Sequence, residues 1–368
     1  MMLYRTVGLV SKLPKRALTG LVPKRRALSA ASDSVMVSIE EAEGTTARAL
    51  RKIGWDEEDA GLQAMIMTAA ELCGNNQGLV KMFQPELMAP AAGAGKPTLE
   101  RETPCTAVVN AKQAPGMLAA VTAADLAAAK AAASGVAVVG AYNTSTSSGQ
   151  LAFYVERMAT RGVVGIALAN SPEFVAAAGG GDAVFGTNPL AVGVPRRGEA
   201  PFVFDMATSA IALFGVLTAK AQGRPLPPGV AYGPDGGETT DAAVALGDGA
   251  IATFGGHKGA GLALCVELLA GALPGAAVLG AGPSKKEAKN WGHTFIAIRP
   301  DALVDDFDAK ASSICAAVKA SGPSVRIPGE SSARTAADRR AAGEMPIPAK
   351  IWASIQNTAE NGLEPSPP

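Results

Sequence analysis

Phe254-Gly255-Gly256-His257-Lys258-Gly259 brings together the residue types best suited to chemistry in this chain, and it runs straight into the apolar stretch 260–273. Paired glycines free the backbone from side-chain clashes. The first turn of a helix leaves N–H groups unpaired and carries a partial positive charge. A histidine and a lysine at that point make a donor-rich, positive spot that suits a phosphate or a carboxylate. A glycine turn leading into a buried helix would use the same residues.

A second candidate is the polar loop Asn143-Thr144-Ser145-Thr146-Ser147-Ser148-Gly149, which lies after an apolar run and before a helical one. Its hydroxyls and N–H groups suit a phosphate or a ribose, although such loops also serve as plain turns. Further on, Thr187-Asn188-Pro189 reads as a turn. Asp205-Met206-Ala207-Thr208-Ser209 reads as a strand end and a helix start that Asp205 would cap. No Gly-x-Gly-x-x-Gly stands between a strand and a helix: Gly93-Ala94-Gly95-Lys96 and Gly179-Gly180-Gly181 sit in loops. A standard Rossmann site is thereby disfavoured. A hydrolase triad is disfavoured too, because there is no Gly-x-Ser-x-Gly elbow and the only histidines are His257 and His293.

The elements that must position these residues follow from periodicity and caps. Ser38 with Glu41 forms a capping box before a helix to about Lys52, and Asp56 opens a second helix ending near Gly74. Residues 89–104 read as a loop. A helix from Thr122, with Asp125 in its first turn, ends at Gly135 and leads into the strand 136–139. A helix over 150–161 and the apolar strand 163–169 complete a crossover unit with a buried sheet. Residues 192–205 predict a strand pair turning at Arg196-Arg197-Gly198, residues 221–249 an irregular stretch, 293–298 a strand, 307–320 a helix and 363–368 a loose tail.

Of 368 residues, 48% are hydrophobic and 18% charged, ample for a large core. The charge is uneven. Arg5, Lys12, Lys15, Arg16, Lys24, Arg25 and Arg26 fall in residues 1–32 with no acid, leaving 26 bases against 33 acids in the remainder. Such a start reads as an organelle transit peptide over residues 1–31, with the mitochondrial matrix preferred to the plastid. The mildly acidic body lacks a basic, aromatic-interleaved cluster, so nucleic acid is not an expected partner. No apolar run reaches the ~18–20 residues of a membrane span, 259–273 being the nearest. Cys73, Cys105, Cys265 and Cys315 form no Cys-x-x-Cys pair, which suits buried thiols in a reduced compartment without metal.

Four segments in order carry a resemblance. They are Phe185-Gly186-Thr187-Asn188-Pro189-Leu190-Ala191-Val192-Gly193-Val194-Pro195, Phe204 through Ser209, Glu238-Thr239-Thr240-Asp241 and the glycine–His–Lys segment. Together they resemble the type 2 malate/L-lactate dehydrogenase family of NAD(P)-dependent oxidoreductases, which includes ureidoglycolate and sulfolactate dehydrogenases and reductases of cyclic 2-imino acids. The resemblance covers roughly residues 38–355. It implies an α/β mixed-sheet fold unlike the Rossmann arrangement, with an N-terminal helical region on the substrate side (32–120), a nucleotide-binding domain (121–300) and a C-terminal helical region packing back on the N-terminal part (301–362). It also implies NAD or NADP as cofactor, a homodimer, and a small 2-oxo, 2-hydroxy or cyclic 2-imino carboxylic acid as substrate. A catalytically weakened relative with a nucleotide-binding or regulatory role is the alternative.

By the same resemblance the cofactor residues would be Ser145, Asn170, Ser171, Asn188, Asp205, Met206, Ala207, Thr208, His257, Lys258 and Gly259. Relatives usually carry Asp-Ser-His-Gly-x-x-Arg where this chain reads Asn75-Asn76-Gln77-Gly78-Leu79-Val80-Lys81, and Asn-Ser-Asn-His where it reads Asn143-Thr144-Ser145-Thr146. Both family histidines are replaced. The catalytic candidates are therefore Gln77 and Thr146 at those positions, Lys81 as a point charge for a carboxylate, and His257 as a substitute acid.

Overall fold

A computed structural model of the protein describes residues 34–75 and 77–363. The transit segment expected over 1–31, Asn76 and residues 364–368 lie outside the described residues. The central feature is a seven-stranded mixed sheet in the order Thr98–Glu102, Thr106–Asn110, Val136–Thr144, Trp291–Ile298, Val164–Ala169, Leu190–Arg196, Glu199–Met206. The two strands of the expected crossover unit both belong to it, but they are not neighbours. Trp291–Ile298 lies between them, antiparallel to each.

The apolar strands are explained by burial on both faces. One face receives the helices Gly116–Ser134 and Ala152–Ala159, and Ala137, Val139, Ala141, Tyr154, Met158, Phe295 and Ala297 join one core with them. On the other lies the helix His257–Val266 with its continuation Glu267–Ala272, held where Thr294 Oγ1 donates to Leu269 O at 2.6 Å. A smaller sheet (Ala231–Tyr232, Ala250–Ile251, Val175–Ala176, Ala183–Phe185) has its own core of Val175, Phe185, Val216, Leu226 and Ile251.

Both N-terminal helices have the caps their sequence announces. Ser38 Oγ accepts from Glu41 N ahead of Ile39–Lys52, and Asp56 Oδ1 from Asp59 N ahead of Glu57–Leu72. The last helix, Ala349–Asn361, packs on Ile39–Lys52, and strand Ser34–Ser38 pairs antiparallel with Glu344–Pro348.

Several expectations change. The loop expected over 89–104 contains the strand Thr98–Glu102, whose five residues are all exposed. A charged edge strand lacks the alternation that marks a half-buried one. The helix expected from Thr122 starts at Gly116 behind Pro115, so residue 120 is helical, and Asp125 lies mid-helix, bridging Arg157 Nε at 2.6 Å and Nη2 at 2.8 Å. This helix is long and apolar enough to cross a membrane, unlike what the sequence reading allowed, but 61% of its apolar window is buried in the protein. The irregular stretch 221–249 contains the strand Ala231–Tyr232 and the helix Ala242–Leu246, which Asp241 caps.

Candidate functional site

The Ser/Thr loop is fixed from both ends. Asn143 is left-handed (φ 62°), its N–H donates to Asn290 Oδ1 at 2.6 Å, and its Nδ2 donates to Asn110 Oδ1 at 2.9 Å. Thr144 Oγ1 donates to Trp291 O at 2.9 Å. At the other end Gly116 N donates to Thr146 O at 3.0 Å, and a Cβ on Gly116 would lie 2.5 Å from that oxygen. The first residue of the Gly116–Ser134 helix is thus a glycine for want of room. Thr146 Oγ1 is buried without a hydrogen-bond partner. A buried hydroxyl rarely stays unpaired, so it suits a ligand. Ser145 is half-buried beside it.

Lys81 meets this loop from the N-terminal region, on the short turn Leu79–Phe83. Its ammonium donates to Ser147 Oγ and lies 5.5 Å from the centre of the Phe214 ring, on the helix Leu213–Ala221. No carboxylate among the described residues pairs with it. The residue keeps some exposed surface, but its ammonium is desolvated, which lowers the pKa to about 8. The backbone oxygen of Gln77 packs against Gly149, while the Gln77 N–H donates to Asn75 Oδ1 at 3.0 Å. The structure therefore gathers Gln77, Lys81, Ser147 and Phe214 around one end of the loop.

Asp205 has a different job from the cap expected of it. Its Oδ2 accepts from Ala152 N at 2.8 Å, so it caps the distant helix Ala152–Ala159, and the helix following it starts only at Leu213. Burial outweighs those hydrogen bonds and raises its pKa to about 6. Met206 lies opposite Leu190 at the strand end, with Ala207 just past it. Thr208 donates its N–H to Thr187 O at 2.9 Å, and Ser171 Oγ accepts from Thr187 N at 3.1 Å. Phe254 N donates to Thr208 O at 3.0 Å, which ties the 205–209 segment to the glycine turn.

The amide of Asn170 and the Nδ2 of Asn188 are committed to the fold, whereas Asn188 Oδ1 is buried without a partner among the described residues. Asn170 Oδ1 accepts from Gly292 N at 2.7 Å and its Nδ2 donates to Ala277 O at 3.2 Å, while Asn188 Nδ2 donates to Ala263 O at 3.0 Å. At the glycine turn, Gly255 and Gly256 are left-handed (φ 56° and 60°), and a Cβ on either would meet nothing within 4 Å. Gly259 is a glycine for packing, since a Cβ there would lie 2.0 Å from Phe254 O. His257 and Lys258 are exposed at the helix start, and their side chains make no hydrogen bond or ion pair among the described residues. His293 is buried in its strand, stacked on Phe295, with its pKa lowered to about 4 by desolvation. It is a neutral core residue, and His257 is the accessible imidazole.

The sequence pattern of malate/L-lactate dehydrogenase matches residues 37–356. The chain belongs to the malate/L-lactate dehydrogenase family. It is 38% identical over 255 residues to L-sulfolactate dehydrogenase of Methanothermobacter thermautotrophicus, covering 68% of this chain and 73% of that protein. Over 121 residues it is 55% identical to Delta(1)-pyrroline-2-carboxylate reductase of Pseudomonas fluorescens, 33% of this chain and 36% of the relative. Among solved structures, delta1-piperideine-2-carboxylate reductase from Pseudomonas syringae superposes with a TM-score of 0.80 at 29% identity, covering 88% of this chain and 99% of that one. This member of the malate/L-lactate dehydrogenase family is accordingly an oxidoreductase on a mixed-sheet fold.

The family's NAD(P) fits the groups found here. The unpaired Thr146 Oγ1 and the free His257 and Lys258 side chains at an open glycine turn are donors with no partner among the described residues. Ser147 and Phe214 escaped the sequence reading. The serine is one hydroxyl among several in its loop, and the phenylalanine sits in an apolar helix with nothing local to set it apart.

Proposed function

We propose that this family member reduces small cyclic 2-imino carboxylic acids with NADH or NADPH, and 2-oxo acids more slowly. The observation that carries it is Lys81, a desolvated ammonium that has no counter-ion among the described residues and donates to Ser147 at the end of the hydroxyl loop. A desolvated cation without a counter-ion is costly, and a substrate carboxylate would neutralise it. The nicotinamide would supply the hydride when bound. Ser145, Thr146, Ser171, Met206 to Thr208, His257 and Lys258 would hold the nucleotide. Asn170, Asn188, Asp205 and Gly259 would shape the cleft from behind.

The proton decides between substrates. Neither Gln77 nor Thr146 titrates across roughly pH 5–9, so neither replaces a histidine. A side-chain acid typically contributes ~10²–10⁴-fold to a carbonyl reduction, whereas a preformed iminium already carries its proton. Gln77 would then only donate a hydrogen bond. With this reading, oxidation of NADH or NADPH should be at least ~10-fold faster with Δ1-pyrroline- or Δ1-piperideine-2-carboxylate than with pyruvate, oxaloacetate or sulfopyruvate. With nucleotide saturating, His257→Gln should leave kcat for the imino acid within about threefold, its effect falling on the nucleotide KM instead. A loss of ~10² or more on that substitution would make His257 the acid. Reduced-nucleotide fluorescence that rises on binding, with no turnover of any acid, would leave a nucleotide-binding role alone.

A homodimer is part of the same proposal. Gly261, Leu264, Cys265, Leu268, Leu269, Ala272 and Leu273 are exposed at helical spacing along the helix covering the sheet, with Leu268 55% and Leu273 60% accessible. A continuous apolar stripe of this kind marks an interface, and a second copy is the simplest symmetric occupant. Leu264→Glu with Leu268→Glu should convert a two-chain sedimentation mass to one chain at micromolar concentration. A wild-type mass of one chain would refute the dimer. We also infer that residues 1–31 address the chain to an organelle, the mitochondrial matrix before the plastid. Intact Met1 on the protein recovered from that organelle would sink this reading.

A further inference from the structure

We propose that the buried Glu267–Lys285 pair is a positioning device for the nucleotide cleft, locking the helix that begins at His257 against the segments around Asn170 and Asn188. The inference rests on the reading that those segments hold NAD(P).

Lys285 is wholly buried and Glu267 is 5% exposed, with Nζ to Oε1 at 2.7 Å. Glu267 Oε2 accepts from Asn188 Nδ2 at 3.0 Å, and its Oε1 also accepts from Asn170 Nδ2 at 3.5 Å. One carboxylate thus joins two cleft segments to its own helix. The helix widens into a π-turn over Glu267–Ala272, and such turns often mark functional positions. Close approach is built in, because a Cβ on Gly271 would lie 2.7 Å from Asn170 Nδ2. Asn188 is held left-handed (φ 36°), and its other bond goes to Ala263 O on the same helix. On the far side Lys285 N donates to Glu173 Oε1 at 3.0 Å, and Trp291 Nε1 donates to Lys285 O at 3.0 Å. The 285–291 segment is thereby fixed to the strand next to the Ser/Thr loop.

Stability alone does not account for the pair, because well-packed apolar replacements of a buried ion pair are often neutral or stabilising. What charge adds is a directional register. A helix free to slide by a fraction of a turn would carry His257 and Lys258 with it, and a ~1 Å misplacement can cost ~10²-fold.

The test uses reduced-nucleotide fluorescence and steady-state kinetics on the full chain. Glu267→Gln should weaken NADH or NADPH binding by ~10- to 100-fold, mostly through the nucleotide KM. It also strands the Lys285 charge and lowers the thermal midpoint. The double variant Glu267→Gln with Lys285→Met removes that stranded charge. Its midpoint should return to near wild type while the nucleotide Kd stays weak, which separates positioning from stability. Recovery of both together, or unchanged binding in Glu267→Gln, overturns the inference alone. A wild-type chain that binds neither nucleotide overturns the functional reading, and the inference falls with it.

Discussion

Lys81→Met should lower kcat/KM for the carboxylic acid substrate by roughly 30- to 3,000-fold and at the same time raise the thermal midpoint. Truncating one partner of a buried, hydrogen-bonded charge pair costs about 2–5 kcal/mol, at about 1.4 kcal/mol per tenfold. Methionine keeps the length and the contact with Phe214, so the change isolates the charge. The free protein gains because a desolvated ammonium with no counter-ion among the described residues is removed. The signs with pH follow from a pKa lowered to about 8. Lys81 is charged below that value, so wild-type kcat/KM should fall as pH rises through about 8, a limb missing from the variant. The folded pKa lies below the unfolded one of 10.5, so the stability penalty is full below about 8 and fades as pH rises to 10.5. The gain in midpoint should therefore be largest near neutrality. Lys81→Arg, charged throughout, should keep activity on the alkaline side. An unchanged kcat/KM in Lys81→Met would end the carboxylate assignment.

Gly259→Ala should destabilise the chain by roughly 3 kcal/mol or more, at the severe end for overpacking. The new methyl would stand 2.0 Å from Phe254 O, a backbone atom that cannot swing aside. Relief would have to come from the Gly255-Gly256 turn, which also carries His257 and Lys258, so nucleotide binding should fail with the fold. Gly44→Ala is the control. It lies inside the helix Ile39–Lys52 with only Arg48 Nη1 nearby at 3.9 Å, and should add about 1 kcal/mol. Denaturant midpoints of the two variants decide the matter. A Gly259→Ala protein as stable as wild type would show slack in the turn.

What could be read from the sequence was what residues do locally. Ser38 and Asp56 cap the helices they precede, and the apolar strands expected over 136–139 and 163–169 exist, although the first runs on to Thr144 into what read as the start of the polar loop. Asp205 shows where local reading ends, since its carboxylate reaches a helix more than fifty residues earlier in the chain. Lys81 is visible as a charge, but its lack of a counter-ion among the described residues is a property of the fold. Glu267 offered a signal, a lone acid in an apolar helix, yet its partner Lys285 lies beyond Pro274 in an unremarkable polar stretch. The strand Thr98–Glu102 was hidden because an exposed edge places no constraint on side-chain polarity.

The pairing of Ser34–Ser38 with Glu344–Pro348 sets a timetable. A ribosome adding roughly 5–20 residues per second completes the second strand on the order of 15–60 s after the first. During that interval the backbone N–H and C=O groups of Val35, Met36 and Val37 have no ladder to join, and Ile39 N lacks the Gly343 oxygen that receives it in the finished fold. The helix Ile39–Lys52 waits as well, because the last helix, Ala349–Asn361, on which it packs, is made later still. A part of the sequence made late is thus the part that holds the beginning in place.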